Sequence, residues 1–201
     1  MGKSKKSTWV IVLAVAAVLF FWVKGVYNNM VTLDEGVQTA WSQVENVYQR
    51  RADLIPNLVN TVKGYAQHES ATLEGVVNAR AKATQITVDP ENLTPESLAK
   101  FQKAQGELSS ALGKLLSITE NYPDLKANEN FLQLQAQLEG TENRITVERQ
   151  KFNETAREYN TTIRKFPNNI LSGMFGFEKK AYFEAEEGAE RAPEVSFMSG
   201  E

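Results

Sequence analysis

Between Phe131 and Phe166 a large apolar residue returns at every seventh position: Phe131, Leu138, Ile145, Phe152, Tyr159 and Phe166. The positions between are mostly Gln, Glu, Asn, Arg and Thr. Such a repeat predicts one helix with a narrow apolar stripe on one face. Gly140 is its weakest point, costing about 1 kcal/mol against Ala. A rod of this length, on the order of 50 Å, is not stable alone and needs partner helices along its stripe. The stripe therefore reads as bundle core rather than as a cofactor-binding face.

Upstream, Val37, Trp41, Val44, Tyr48, Ile55, Leu58, Val62 and Tyr65 keep a three-four spacing, which predicts a second amphipathic helix. Pro56 lies within it and costs a hydrogen bond, so a bend is expected there, with a break near Gly64. Leu73, Val76 and Val77 resume the pattern, and Thr87–Thr94 with Asp89-Pro90 reads as a loop. Thr94-Pro95-Glu96 is a helix start: a hydroxyl cap, Pro in the first turn, then an acid. Leu98, Phe101, Leu108, Leu112 and Leu115 line that helix, and Pro123 turns the chain out of it. Pro167 ends the heptad helix, and Met174, Phe175 and Phe177 follow in a short apolar cluster. Glu184 to Glu194 is acid-rich and reads as a loosely ordered tail.

The N-terminal pattern differs. From Ser7 to Val23 no residue is charged, with Trp9 near one end and Phe20, Phe21 and Trp22 at the other. This run is slightly short of the roughly 20 residues that span a bilayer, but Lys24 can snorkel and Gly25 to Tyr27 can extend it. Cleavage as a signal peptide is disfavoured: Ala14-Val15-Ala16 comes too early, and Lys24 to Tyr27 is bulky and charged. Lys3, Lys5 and Lys6 precede the span against Lys24 after it, which predicts a cytoplasmic N-terminus and an extracytoplasmic domain. The expected fold is all-α: a transmembrane helix running into an elongated antiparallel up-and-down four-helix bundle. Its expected segments are a basic N-terminus at 1–6, the span at 7–30, the bundle at 31–166 and a C-terminal apolar segment and acidic tail at 167–201. Counting directions from the anchor returns Met174 to Phe177 to the bilayer surface or the anchor's base.

Composition narrows the chemistry. The 201 residues carry a net charge of −3, which does not favour nucleic acid as a partner, and no cysteine, which removes disulfides and thiol chemistry. His68 beside Glu69 lacks the second His of a helical zinc site and of a di-metal Glu-x-x-His pair. No glycine-rich phosphate loop or nucleophile elbow is present, so no enzyme activity, cofactor or small-molecule substrate is expected. Polar residues do fall on the apolar seams: Arg51, Glu69, Gln105 and Glu148. Either they lie at stripe edges and reach water, or they form a core Arg–Glu network that holds helix register. The triplets at Asn92, Asn153 and Asn160 match a glycan acceptor pattern, but the last two are mid-helix.

Longer motifs resemble a known family. Arg50-Arg-Ala-Asp-Leu-Ile-Pro-Asn-Leu58, Val62-Lys-Gly-Tyr65 with His68-Glu69, and Glu120-Asn-Tyr-Pro-Asp-Leu-Lys-Ala127 are similar to the bacterial LemA family. So are Glu142-Asn-Arg144, Arg149, Phe152-Asn153, Glu158-Tyr-Asn160, Phe166-Pro-Asn-Asn169 and Met174-Phe-Gly-Phe177. The resemblance implies one N-terminal membrane helix, an antiparallel helical bundle and no assigned catalytic residue. It links the chain to membrane and envelope maintenance, and it places the N-terminus outside, against the lysine count. Four roles are then weighed: a self-associating envelope scaffold, an adaptor for a membrane protease or other envelope partner, a ligand sensor, and an enzyme. The scaffold, a homo-oligomer in the bacterial inner membrane, is the leading expectation, with Met174, Phe175 and Phe177 as its assembly contact.

Overall fold

The protein is described here from a computed structural model covering residues 3–184, with side chains from residue 7 onward. Among the described residues all regular structure is helical: six helices and no strand. They are α1 (Lys3–Lys63), α2 (Ser70–Gln85), α3 (Pro95–Thr119), the single turn α4 (Pro123–Lys126), α5 (Glu129–Arg164) and α6 (Asn168–Phe175). The acid-rich run after Glu184 lies outside the described residues.

α1 is 61 residues long, about 90 Å end to end. Its first third, Trp9 to Trp22, is exposed and long and apolar enough to cross a membrane, with a mean hydropathy of 2.3 over its best window. Packing begins at Val23, Val26 and Met30 and continues to Val62. Contacts set the directions of the other helices. Trp41 meets Phe152 and Arg51 meets Glu142, so α5 runs back along α1. Trp41 also meets Phe101 while Arg51 meets Gln105, so α3 runs with α1. α2 packs against α3 and α1.

Local rules explain the helix ends. Thr94 accepts from the Ser97 amide and Ser97 returns a bond to the Thr94 amide, a reciprocal cap with Pro95 in the first turn. Asn128 caps α5 by accepting from the Phe131 amide. Gly176 closes α6 at φ 76°, a left-handed conformation that glycine adopts without steric cost, and Phe177 N–H bonds back to Ser172.

One expectation changes in detail. The heptad stripe is buried from Phe131 to Tyr159, but Phe166 is 81% exposed. Pro167 is the reason: the residue before Pro is pushed toward extended backbone, and α5 stops at Arg164 before the stripe is complete. α1 continues through Pro56 without ending, and stops at Lys63 before Gly64. Pro56 has no N–H for the Ala52 carbonyl one turn back. Arg80 Nε on α2 supplies that donor at 2.7 Å. Removing this guanidinium in Arg80→Leu should cost about 1–2 kcal/mol, a charged hydrogen bond discounted for partial exposure. In a Pro56→Ala background the residue-56 amide takes over, so the loss should shrink. Denaturant melts followed by tryptophan fluorescence test this; equal losses in both backgrounds would show that Arg80 acts elsewhere.

Candidate functional site: the buried arginine layer and the clasped C-terminal segment

The core divides into two apolar clusters. The one farther from the span is largely aliphatic, built on Ile55, Leu58, Val76, Leu108, Leu115 and Leu125. The nearer one is aromatic: the Trp41 ring stands edge-on to Phe101 and Phe152 and stacked on Phe183. Between them in sequence and in space lies Arg51, 1% exposed. Its Nη1 donates to Ser109 at 2.7 Å and to Glu142 at 2.8 Å. Its Nη2 donates to the Gln105 side chain at 2.7 Å and the Gln105 carbonyl at 3.2 Å. The Gln105 amide donates onward to the Ala83 carbonyl. One network thus touches α1, α2, α3 and α5.

Of the four polar residues on the seams, the structure brings Arg51 and Gln105 together. Glu69 sits at the far end instead, accepting from the Tyr122 hydroxyl at 3.0 Å, which raises the Tyr122 pKa. Glu148 pairs with Lys151 on its own helix. The acid that meets Arg51 is Glu142, which the stripe pattern did not single out; it lies off the seam and is half-exposed. Buried Tyr48 carries Arg51 over its ring, and burial raises its pKa although Arg149 and Arg51 pull it down.

After α6 the chain has no regular secondary structure from Phe177 to Glu184 and runs back along α5. Two asparagines of α5 hold it. Asn160 donates to the Lys180 carbonyl and accepts from the Lys180 amide; Asn153 does the same for Phe183. The spacings are compatible: seven helical residues rise about 10.5 Å, and three residues of chain can cover about 10 Å. Each asparagine amide thus acts as a short piece of strand edge. The Lys180 ammonium is buried against Asp34 at 3.0 Å and the Glu91 carbonyl at 2.8 Å. The Glu184 carbonyl accepts from Gln102 and Arg149. In the sequence, a pair of asparagines seven apart on the inner side of a helix was the available signal for this clasp.

Along the span, Trp9 near its start and Phe20, Phe21, Trp22 and Lys24 near its other end are exposed. The Tyr27 ring meets Phe175 at 4.9 Å and Phe177 at 5.7 Å. Met174 and Phe175 remain exposed, whereas Phe177 is partly buried against the aromatic core. The turns at Pro123 and Pro167 both open short helices, α4 and α6. His68 is exposed in the turn before α2, and no three His, Asp or Glu side chains converge as a metal set among the described residues.

An apolar helix bare over a membrane-spanning length and continuous with a packed helical core defines a membrane-associated, all-helical protein. The sequence pattern of the LemA family matches residues 40–197, and the chain belongs to that family. Similar curated proteins include the magnetosome protein MamQ of Magnetospirillum gryphiswaldense, 29% identical over 174 residues that cover 78% of this chain and 64% of MamQ. The magnetosome protein MamQ 1 of Paramagnetospirillum magneticum is 28% identical over 79% of this chain and 64% of its own. The protein LemA of Metamycoplasma hominis is 26% identical over 85% of this chain and 74% of its own. The chain therefore matches less than two thirds of the length of the MamQ relatives.

Two outcomes follow from this geometry. Arg51→Met keeps the packed stem and removes the guanidinium bonds, and should cost about 3 kcal/mol in denaturant melts. Glu142→Gln should cost less than about 1 kcal/mol, because its half-exposed carboxylate is screened by water. Equal costs would show that the ion pair, not the buried amide and hydroxyl contacts, holds Arg51. Asn160→Asp keeps the acceptor for the Lys180 amide but cannot donate to the Lys180 carbonyl. Limited proteolysis should then cut between Phe177 and Glu184 faster than in the parent chain, with the helices intact. An unchanged cleavage rate would assign the clasp to Lys180 and Asn153 alone.

Proposed function

We propose that this protein is a non-catalytic scaffold of the bacterial inner membrane that assembles with copies of itself. In this reading the aligned and opposed long helices form an elongated up-and-down four-helix bundle, with the N-terminus cytoplasmic and the bundle outside. One observation carries it: α1 is a single helix from the bare apolar run into the packed core. No flexible joint separates span from domain, so rotations and contacts of the span pass directly to the rod, as lateral assembly requires. The MamQ relatives are named as magnetosome proteins, which fits a structural role at a membrane. The presentation of a helical surface to an envelope partner is the competing role.

The test is the mass of the protein in mild detergent, by light scattering, beside a truncation that begins at Val23, where core packing starts. A defined oligomer for the full chain and a monomer for the truncation supports span-driven assembly. Monomers in both cases would remove the scaffold reading in favour of an adaptor that binds a different protein.

A further inference from the structure

We infer that α6 is an interfacial helix whose outer face, with Phe166 just before it, lies in the lipid of the membrane that α1 crosses. This rests on reading the first third of α1 as a membrane span. Phe166, Ile170 and Met174 are spaced by four and exposed to 81%, 55% and 73%. That spacing puts Ile170 and Met174 on one side of α6. Leu171 and Ser172 face the other way, buried, with the Ser172 hydroxyl bonded to the Ile163 carbonyl. α6 itself contains no charged residue.

The position of this face on α1 identifies its occupant. α6 packs on both α1 and α5, and its last residue, Phe175, touches Tyr27. Tyr27 lies five residues past Trp22, only about 7.5 Å along the helix. The apolar face of α6 therefore begins where the bare apolar surface of α1 stops. Exposed Arg164 and Lys165 precede the face, Lys179 follows it and Lys24 sits on the span. Their long stems can reach phosphate headgroups while the apolar side chains lie deeper, the division of labour of an interfacial helix. A second copy of the chain fits this face less well. With Phe175 it offers four large side chains, whereas a stable protein interface engages roughly 20–30 residues a side. The left-handed turn at Gly176 then sends the chain away from the span into the clasp on α5.

The chain has no cysteine, so single cysteines can be placed without background labelling. Phe166→Cys, Ile170→Cys and Met174→Cys would be labelled with a small polar fluorophore in the full-length chain. Each would be reconstituted one copy per nanodisc in phosphatidylcholine and phosphatidylglycerol, with lipids carrying a spin label at a shallow acyl position. Leu13→Cys reports the span, and Glu74→Cys, on the distal α2, reports water. The expected result is strong quenching by the lipid spin label at the α6 sites and Leu13, none at Glu74, and several-fold weaker quenching of the α6 sites by an aqueous quencher. Leu13 quenched by lipid with α6 sites behaving like Glu74 overturns the inference and leaves the anchor standing. Leu13 open to the aqueous quencher overturns both. Protection of α6 from water without lipid quenching would assign the face to protein and also overturn it.

Discussion

A guanidinium buried in a helical core is tolerable only where fixed partners replace its water, because an unpaired buried charge costs several kcal/mol. Arg51 has those partners on α3 and α5, and Gln105 passes the connection to α2. Apolar stripes alone allow neighbouring helices to slide by a turn and repack leucine on leucine. At the Arg51 level a slide would strip the guanidinium of Gln105, Ser109 and Glu142 together. The polar layer is thus the point from which the register of the long helices is measured, with an aliphatic core on one side and an aromatic core on the other.

The same register fixes the membrane-proximal half. With α1 and α5 aligned at Arg51 and Glu142, Trp41 meets Phe152 and Tyr27 reaches the start of the clasped segment. The inward asparagines of α5 then stand opposite the backbone of Lys180 and Phe183. The aromatic core is completed by Phe183, which arrives on a segment outside the helices. Because α1 is continuous, the apolar run inherits this alignment.

Several helix starts and stops, the apolar run at the N-terminus and the buried stripe up to Tyr159 were legible in the sequence. Each depends on residues within a turn or two of one another: Thr94 with Pro95 and Glu96, Pro167 with the residue before it. Even the misplaced Phe166 was a local matter, since Pro167 overruled a heptad that periodicity alone extends. Arg51 was visible as a charge on an apolar seam, but not its partner, because many acids occupy α5 and spacing cannot choose among them. Arg80 and Lys180 gave no periodic signal; each donates to a backbone carbonyl, that of Ala52 or Glu91, a group which every residue possesses, and Lys180 also pairs with the distant Asp34.

The sequence by itself determined that this chain is helical, where several of its helices begin or end, and that its first long apolar run suits a bilayer. Those properties come from side-chain period, capping chemistry and proline geometry, all short-range. Only the tertiary structure decided which helices lie side by side, that Glu142 and not Glu69 or Glu148 meets Arg51, and that Asn153 and Asn160 clasp the C-terminal segment. The physical reason is range: these pairs lie 20 to 91 residues apart, and side chains so distant in the chain become neighbours only after the helices have packed.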